Sequence, residues 1–346
     1  MVAAKAVKPL VDCLNEENVQ LKRAASSALT EIARHNEALA STVVNEGAIP
    51  ALARLLSHSD AALKRQVCSC LAFIAGHAVV LADAVVNSEV LHKIPGCLKD
   101  VEIKVRMNAA YILRELAKAS GRHASLIMLI VGPASIVDFV SNCTGEARLP
   151  GIETIGYIAN QEDEGLAKDC IKDNAHIALK DALTHETSDV LKERAAWALG
   201  KLGKHSADNA NALVEAEILQ KLLSVYNKAG NNNQLKKKAK KSLVKIIAKC
   251  NKIQLIEPLV NDDVDLDILT ALVEQCYTLL LPSLEFKKHF LQCGGFQRLQ
   301  HLKADGGTKL REHRDKINNL YPNEVVLYYA PDAKEKIIKK IEEAQD

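Results

Sequence analysis

The highest concentration of one charge in this sequence is a group of seven lysines between residues 236 and 249. Lys237, Lys241 and Lys245 are spaced at i, i+4 and i+8, which places them on one face of a helix. Together with Lys201 they would form a basic surface for an acidic partner segment, held by a salt-sensitive attraction. The alternative is a solvated helix face without a partner.

Four aspartates follow this lysine group, at Asp262, Asp263, Asp265 and Asp267. They would either compensate the lysines internally or supply negative charge at the amino end of a helix. Their spacing lacks the loop glycine and the terminal glutamate of a calcium-binding loop.

No motif in the sequence indicates catalysis. G-x-S-x-G, the P-loop, G-x-G-x-x-G and H-E-x-x-H are all missing. The nine cysteines include no C-x-x-C pair and favour reduced structural thiols in a reducing compartment such as the cytoplasm. We therefore expect a non-enzymatic protein without catalytic, cofactor-binding or metal-binding residues and without a small-molecule substrate.

Charge and hydropathy also argue against two classes of partner. The net charge of +2 gives no overall bias toward nucleic acid or membrane surfaces. The most apolar run, Leu126 to Val131, is too short to span a bilayer, and no charged-then-apolar leader opens the chain.

A repeat of about 42 residues organises the chain. Similar helical stretches start at Leu21, Leu63 and Val105, each 42 residues after the last, and three further copies follow. Apolar residues recur in them at i and i+3, as in a helical stripe. The first position is held by Leu29, Leu71, Leu113, Ile155, Leu199 and Leu243, and the second by Ile32, Ile74, Leu116, Ile158, Leu202 and Ile246.

Two shorter helical stretches separate successive copies, so each unit predicts three helices of unequal length. Apolar residues make up 48% of the chain and aromatic residues only 4%, which together with sparse Gly and Pro indicates an all-α protein. We predict a solenoid over residues 1–302, with about six clear repeats and one or two degenerate ones. Residues 303–346 would form a C-terminal cap, in which Tyr321, Tyr328 and Tyr329 pack onto the last repeat or contact a partner.

This three-helix pattern resembles the armadillo family from Lys8 to about Leu302. Within that family the chain resembles the axonemal central-apparatus armadillo proteins of motile flagella, the sperm-associated-antigen type. The segments that carry this likeness are RLPGIETIGYIA, AAWALGKLGKH, LKKKAKKSLVKIIAKC, CGGFQRLQHLKADGG and YPNEVVLYYAPD. Members of the family are longer at the amino end, so we expect further repeats before Met1.

The resemblance implies a right-handed armadillo superhelix whose third, longest helices line a concave groove. Positions near the stripe then become candidate partner-binding residues, namely Phe73, Tyr111, Tyr157, Trp197, Lys201, Lys237, Lys241 and Lys245. Receptors for basic nuclear-import signals carry a ladder of Trp and Asn at such positions. This chain has a single Trp and lacks the Asn column, which argues against nuclear import.

The function implied by the resemblance is that of a scaffold. It would hold central-apparatus proteins and microtubules in the cytoskeleton of the flagellar or ciliary axoneme and be required for motility. The alternative is a soluble cargo or signalling adaptor that binds an extended peptide in its groove.

Overall fold

The computed structural model describes residues 2–302, 308–333, 335 and 338. The chain separates into two compact units, Met1–Leu202 and Gly203–Asp346. The predicted boundary between residues 302 and 303 falls inside the second unit. Of the predicted cap, residues 303–307, 334, 336, 337 and 339–346 lie outside the described residues.

The first unit is built from α-helices that recur in sets of three. In chain order they are α1 (Val2–Cys13), α2 (Val19–His35), α3 (Glu37–Asn45), α4 (Ala48–Leu55), α5 (Ala61–His77), α6 (Val79–Val86), α7 (Val90–Leu98), α8 (Ile103–Ala119), α9 (Gly121–Ile130), α10 (Pro133–Ser141), α11 (Leu149–Ile158), α12 (Glu164–Lys172), α13 (Ala175–His185) and α14 (Asp189–Leu202). A short 3-10 helix, Gly145–Arg148, precedes α11.

The third helix of each set packs against the third helix of the next, in the order α2, α5, α8, α11 and α14. The predicted stripe is confirmed as the core of this packing, since Leu29, Leu71 and Ile74 are fully buried. Ile32 is only half-buried, because no earlier third helix packs on α2 among the described residues. The stripe stabilises the unit by burying apolar area that a single repeat would leave exposed.

The junction between the first and second helix of a set repeatedly uses left-handed backbone. Gly47 has φ +77°, Asn174 has φ +65° and Glu217 has φ +60° at equivalent places in three sets. This conformation reverses the chain in one residue, and glycine adopts it without steric cost. Asn174 is of a type that tolerates this conformation, whereas Glu217 adopts it at a steric cost.

Side chains also form hydrogen bonds to the main chain of the preceding repeat. The His77 Nε2 atom lies 2.6 Å from the Ala33 carbonyl oxygen, and Gln161 Nε2 donates to Ala117 O at 3.1 Å. Both acceptors are carbonyls near the end of a third helix, where the last turn lacks intrahelical donors. His77 and Gln161 therefore each satisfy a carbonyl at the end of the third helix of the preceding repeat.

The second unit continues the sets and then departs from them. Its helices are α15 (Ala207–Glu215), α16 (Ile218–Lys228), α17 (Asn233–Ile247), α18 (Ile253–Ile256), α19 (Leu266–Leu280), α20 (Leu284–Gln292), α21 (Gly295–Gln300), α22 (Thr308–Asn318) and α23 (Asn323–Tyr329). After α17, the first two helices of a set are reduced to α18 and the 3-10 helix Glu257–Leu259. We call this set, from α18 to α19, the irregular repeat.

The described part of the C-terminal segment packs onto the helices before it. Helix α22 contacts α19, as α19 contacts α17, and α23 contacts α21. The Tyr321 ring lies 4.6 Å from that of Phe296, centroid to centroid, and its hydroxyl donates to Lys287 O at 3.1 Å. Tyr329 also contacts Phe296, whereas Tyr328 is 70% exposed.

The nine cysteines are free thiols, and most are buried. Cys70 and Cys276 are fully buried, and burial raises the pKa of each thiol to about 12. At neutral pH they are therefore protonated, and they pack as small apolar side chains.

Within the described ranges, no single helix has the length and apolarity needed to cross a membrane. One pair of consecutive helices, Gly121–Ile130 and Pro133–Ser141, is long and apolar enough when the two are taken together. This pair bends by 82° at the break between its helices.

Candidate protein-interaction surface

In the first unit the predicted aromatic residues lie on the exposed side of the third helices, which we call the third-helix face. Each stands two residues before or after a buried stripe position, so its side chain emerges beside the core rather than inside it. Phe73 on α5 is 37% exposed. Tyr111 on α8, Tyr157 on α11, and Trp197 and Lys201 on α14 are half-buried.

Two of these aromatic residues share a cavity between α5 and α8. Its volume is about 340 Å³, the size of a small ligand pocket or of one large side chain. Its lining consists of Ser69, Ala72, Phe73, Asn108, Tyr111, Arg114 and Glu115. Phe73 and Tyr111 supply apolar walls, and polar atoms of the other residues add hydrogen-bonding capacity.

The other two aromatic residues contact each other. The rings of Tyr157 and Trp197 meet edge to face with centroids 5.1 Å apart, a favourable arrangement for aromatic pairs. Lys201 Nζ lies 6.0 Å from the Trp197 ring and donates to Asn160 Oδ1 at 2.5 Å. Trp197 also rests on Gly156, where a β-carbon would lie 2.1 Å from the ring.

A network of charged residues, not anticipated from the sequence, joins α8, α11 and α14 across this face. Arg114 donates to Glu153 at 3.1 Å and also bonds Glu115, while Arg194 Nε lies 3.2 Å from Glu153 Oε1. Burial alone would lower the pKa of Arg114, but the bonds and charges of Glu115 and Glu153 raise it. The two buried carboxylates are thereby neutralised within the fold.

Arg114 also sets the position of Tyr111. Its guanidinium carbon lies 4.7 Å from the centre of the Tyr111 ring, a cation–π contact. Burial raises the pKa of the Tyr111 hydroxyl, so that side chain is neutral at physiological pH. The sequence signal for Arg114 was its spacing of three residues from Tyr111, which places both on one side of α8.

In the second unit, Lys237, Lys241 and Lys245 are exposed on α17. We call them the lysine row. None of the three forms an ion pair within the described ranges. Burial, and after it the positive charge of Lys245, lowers the pKa of the neighbouring Lys204. The grouping of Lys201 with this row remains a prediction.

Two of the four aspartates that follow the lysine group form ion pairs with Lys240, which is not part of the lysine row. Lys240 Nζ lies 2.8 Å from Asp265 Oδ1 and also pairs with Asp267. Asp265 is in addition the N-cap of α19, so the internal compensation and the helix-end role predicted from the sequence both occur. Burial alone would lower the pKa of Lys240, and these hydrogen bonds raise it.

Comparisons with known proteins agree with this architecture. A family model described as armadillo/beta-catenin-like repeat matches residues 36–75. An engineered protein of known structure superposes with a TM-score of 0.69 at 19% identity, covering 95% of this chain and 82% of the other. A designed armadillo-repeat protein in complex with the peptide (KR)4 superposes with a TM-score of 0.65 at 19% identity, covering 70% of this chain and 99% of its own. These likenesses show the fold.

Two curated relatives are similar in sequence over 163 residues. Sperm-associated antigen 6 of Mus musculus is 38% identical, and the match covers 47% of this chain and 32% of the mouse protein. Sperm-associated antigen 6 of Homo sapiens is 36% identical over the same shares. The match thus spans about a third of the length of these relatives. Repeat, fold and sequence similarity agree: the chain has an armadillo-repeat fold and is similar over 163 residues to sperm-associated antigen 6.

Proposed function

We propose that this chain is a non-enzymatic scaffold that binds other proteins of the flagellar or ciliary axoneme through the third-helix face and the lysine row. The observation that carries the proposal is the repeated presentation of aromatic side chains along the third helices, with their polar neighbours already paired. A surface of this composition, rich in aromatic side chains and with neutralised charges, is typical of protein interfaces.

The location in the axoneme rests on the similarity to sperm-associated antigen 6 and on the family resemblance of the sequence. That resemblance implies the central apparatus, association with microtubules and a requirement for motility. It also implies a cytoplasmic, cytoskeletal setting, which the free, buried thiols suit.

The lysine row fits an extended acidic segment such as a tubulin tail. Residues four apart on a helix are about 6 Å apart along its axis. Alternate residues of an extended peptide, which share one side, are about 6.6 Å apart. An acidic side chain at every second position of a partner would therefore meet successive lysines of the row.

Charge reversal tests this contact. In the full chain, Lys237→Glu, Lys241→Glu and Lys245→Glu together should abolish co-sedimentation with microtubules at low salt. The matched control reverses Lys104, Lys168 and Lys228, which are exposed and form no ion pair within the described ranges, so the total charge is the same. Microtubules without their acidic tails should bind the wild type only weakly. That binding should be as weak as the binding of the lysine-row variant to intact microtubules. Equal binding by both triple variants would count against the lysine row.

Cross-linking in intact axonemes tests the scaffold itself. We expect cross-linked residues to cluster on third helices of the first unit and on α17, with central-apparatus proteins and tubulin as partners. Cross-links confined to the first helices of the repeats, such as α6 and α9, would move the interface to another face. A protein absent from washed axonemes would not be a scaffold of this structure.

The second candidate function is a soluble adaptor that binds a peptide. The cavity between α5 and α8 favours it, since Phe73 and Tyr111 would enclose one peptide side chain. A basic peptide is the poorer ligand, because Glu115 already pairs with Arg114 and lies 3.9 Å from Lys118. The adaptor function would replace the scaffold proposal if the purified chain does not bind microtubules but binds one short peptide. Phe73→Ala should then abolish the peptide binding.

A further inference from the structure

Glu257, His289 and Cys293 in the second unit bring a carboxylate, an imidazole and a thiol together. One potential ligand atom from each lies within 4.8 Å of the others. His289 and Cys293 are four residues apart at the end of α20, so both side chains leave the same side of the helix. Glu257 opens the 3-10 helix that follows α18, and α18 packs against α20.

The imidazole of this group is unsatisfied by the described part of the protein, whereas the Cys293 thiol donates to Phe290 O at 3.6 Å. His289 Nε2 is buried and has no hydrogen-bond partner among the described residues. Glu257 is only 4% exposed, and its ion-pair partner is Arg298, through Oε2. A buried nitrogen without a partner is unfavourable, and a bound ion is one of the ways in which folded proteins satisfy such a group.

The backbone beyond Cys293 keeps this group compact. Gly294 has φ +77°, which turns the chain back immediately after the thiol. A β-carbon at Gly295 would lie 2.6 Å from the Phe290 ring and 3.2 Å from Glu257 Oε2. A larger residue at this position would overlap the Phe290 ring and crowd the carboxylate, so glycine allows the close packing of this group.

We propose that Glu257, His289 and Cys293 bind a divalent transition-metal ion of the Zn²⁺ type. Imidazole and thiolate suit zinc, whereas calcium and magnesium prefer oxygen ligands. Metal–ligand bonds of about 2.0–2.3 Å put neighbouring ligands of a tetrahedral ion up to about 3.8 Å apart, so the side chains need to close by about 1 Å. The thiolate and carboxylate balance the ion's charge, and Arg298 becomes an outer partner of the carboxylate.

The ion would stabilise the irregular repeat of the second unit. There the first two helices are reduced to α18 and one 3-10 turn, held by the buried side chains of Ile253, Ile256 and Val260. A metal bridge from Glu257 to α20 would add to that packing. Binding releases the thiol proton, so the affinity for zinc should rise with pH. This site is separate from the third-helix face, and its test does not depend on the proposed function.

Metal titration of the full chain tests the site directly. After chelator treatment, calorimetry with Zn²⁺ should give one ion per chain, and Co²⁺ should give a thiolate-to-metal charge-transfer band. Cys293→Ser should remove that band, and His289→Gln should weaken zinc binding at least about tenfold, as even outer-sphere changes do. The controls are Cys13→Ser and His301→Gln, which carry the same substitutions outside the group. Zinc binding by Cys293→Ser equal to that of the wild type would overturn the proposal.

A measurement on the wild type covers the case in which a variant fails to fold. Zn²⁺ should slow alkylation of Cys293 and leave alkylation of Cys13, the other half-buried cysteine, unchanged. It should also raise the melting temperature of the wild type. Alkylation of Cys293 at the same rate with and without zinc would overturn the proposal without any substitution.

Discussion

At the scale of single residues, Trp197 is held from two sides. The Tyr157 ring meets it edge to face, and the indole occupies the space that a side chain at Gly156 would need. The position of the ring therefore depends on a glycine one helix away. Since the chain contains one tryptophan, its fluorescence reports on this contact alone.

Gly156→Ala should displace the Trp197 ring. The added methyl group would overlap the indole, and overpacking of this kind destabilises a fold by about 1–3 kcal/mol. Tryptophan emission should shift to longer wavelength as the ring moves toward water, and urea unfolding should occur at lower denaturant. Unchanged emission and stability would show that the ring does not rest on Gly156.

Asp60 gives the pH dependence of the first unit a specific origin. The hydrogen bond from Arg23, with that from Leu63 N, lowers the pKa of Asp60 to about 2. The folded-state pKa lies below the ordinary value of about 3.9, so ionised Asp60 stabilises the fold fully above that value. The stabilisation is lost as the pH falls through about 2.

The measurement compares unfolding free energies of the wild type and Asp60→Asn from pH 5 to pH 2. The advantage of the wild type should shrink toward low pH, because Asn keeps the cap but cannot ionise. Asp12→Asn provides the control, since Asp12 and its partner Lys8 are 61% and 59% exposed and surface pairs contribute little. A constant difference between the wild type and Asp60→Asn across this range would contradict the assignment.

At the scale of elements, the left-handed junctions decide how each set of helices folds back. Gly47 has open space around its Cβ position, so only its backbone conformation penalises a side chain there. Gly96, inside α7, also has open space but helical backbone. The two glycines form a matched pair that separates backbone strain from steric overlap.

Gly47→Ala should destabilise the protein by about 1 kcal/mol, the cost of left-handed backbone in an L-residue. Gly96→Ala should be neutral or stabilise by up to about 1 kcal/mol, because alanine favours helix. Thermal unfolding of both variants gives the comparison. Equal effects of the two substitutions would refute the role of the junction.

The sequence predicted the elements better than their contacts. The stripe from Leu29 to Ile246 identified the third helices because one side of each helix must be buried in every repeat, which leaves a strict period. Arg114 and Arg194 were missed, since pairing with Glu153 depends on which helices become neighbours. His289 and Cys293 were missed as well, because their third partner, Glu257, is distant in sequence.

At the scale of the whole molecule, stability is expected to be modular. Repeats of this kind contact mainly their neighbours, so a block of them contains most of its own packing. The first unit, Met1–Leu202, should therefore fold by itself. A fragment of residues 1–202 should be helical by circular dichroism and unfold in one cooperative urea transition. A fragment without such a transition would show that this unit needs the rest of the chain.

The bonds from His77 and Gln161 to carbonyl oxygens of the preceding repeat have an evolutionary consequence. A main-chain oxygen is present whichever amino acid stands at the accepting site, so the hydrogen bond itself does not depend on the side chain there. Only the donor must be retained, and it is a histidine in one repeat and a glutamine in another. The sequences of successive repeats can therefore diverge while the hydrogen bonds between the repeats are kept.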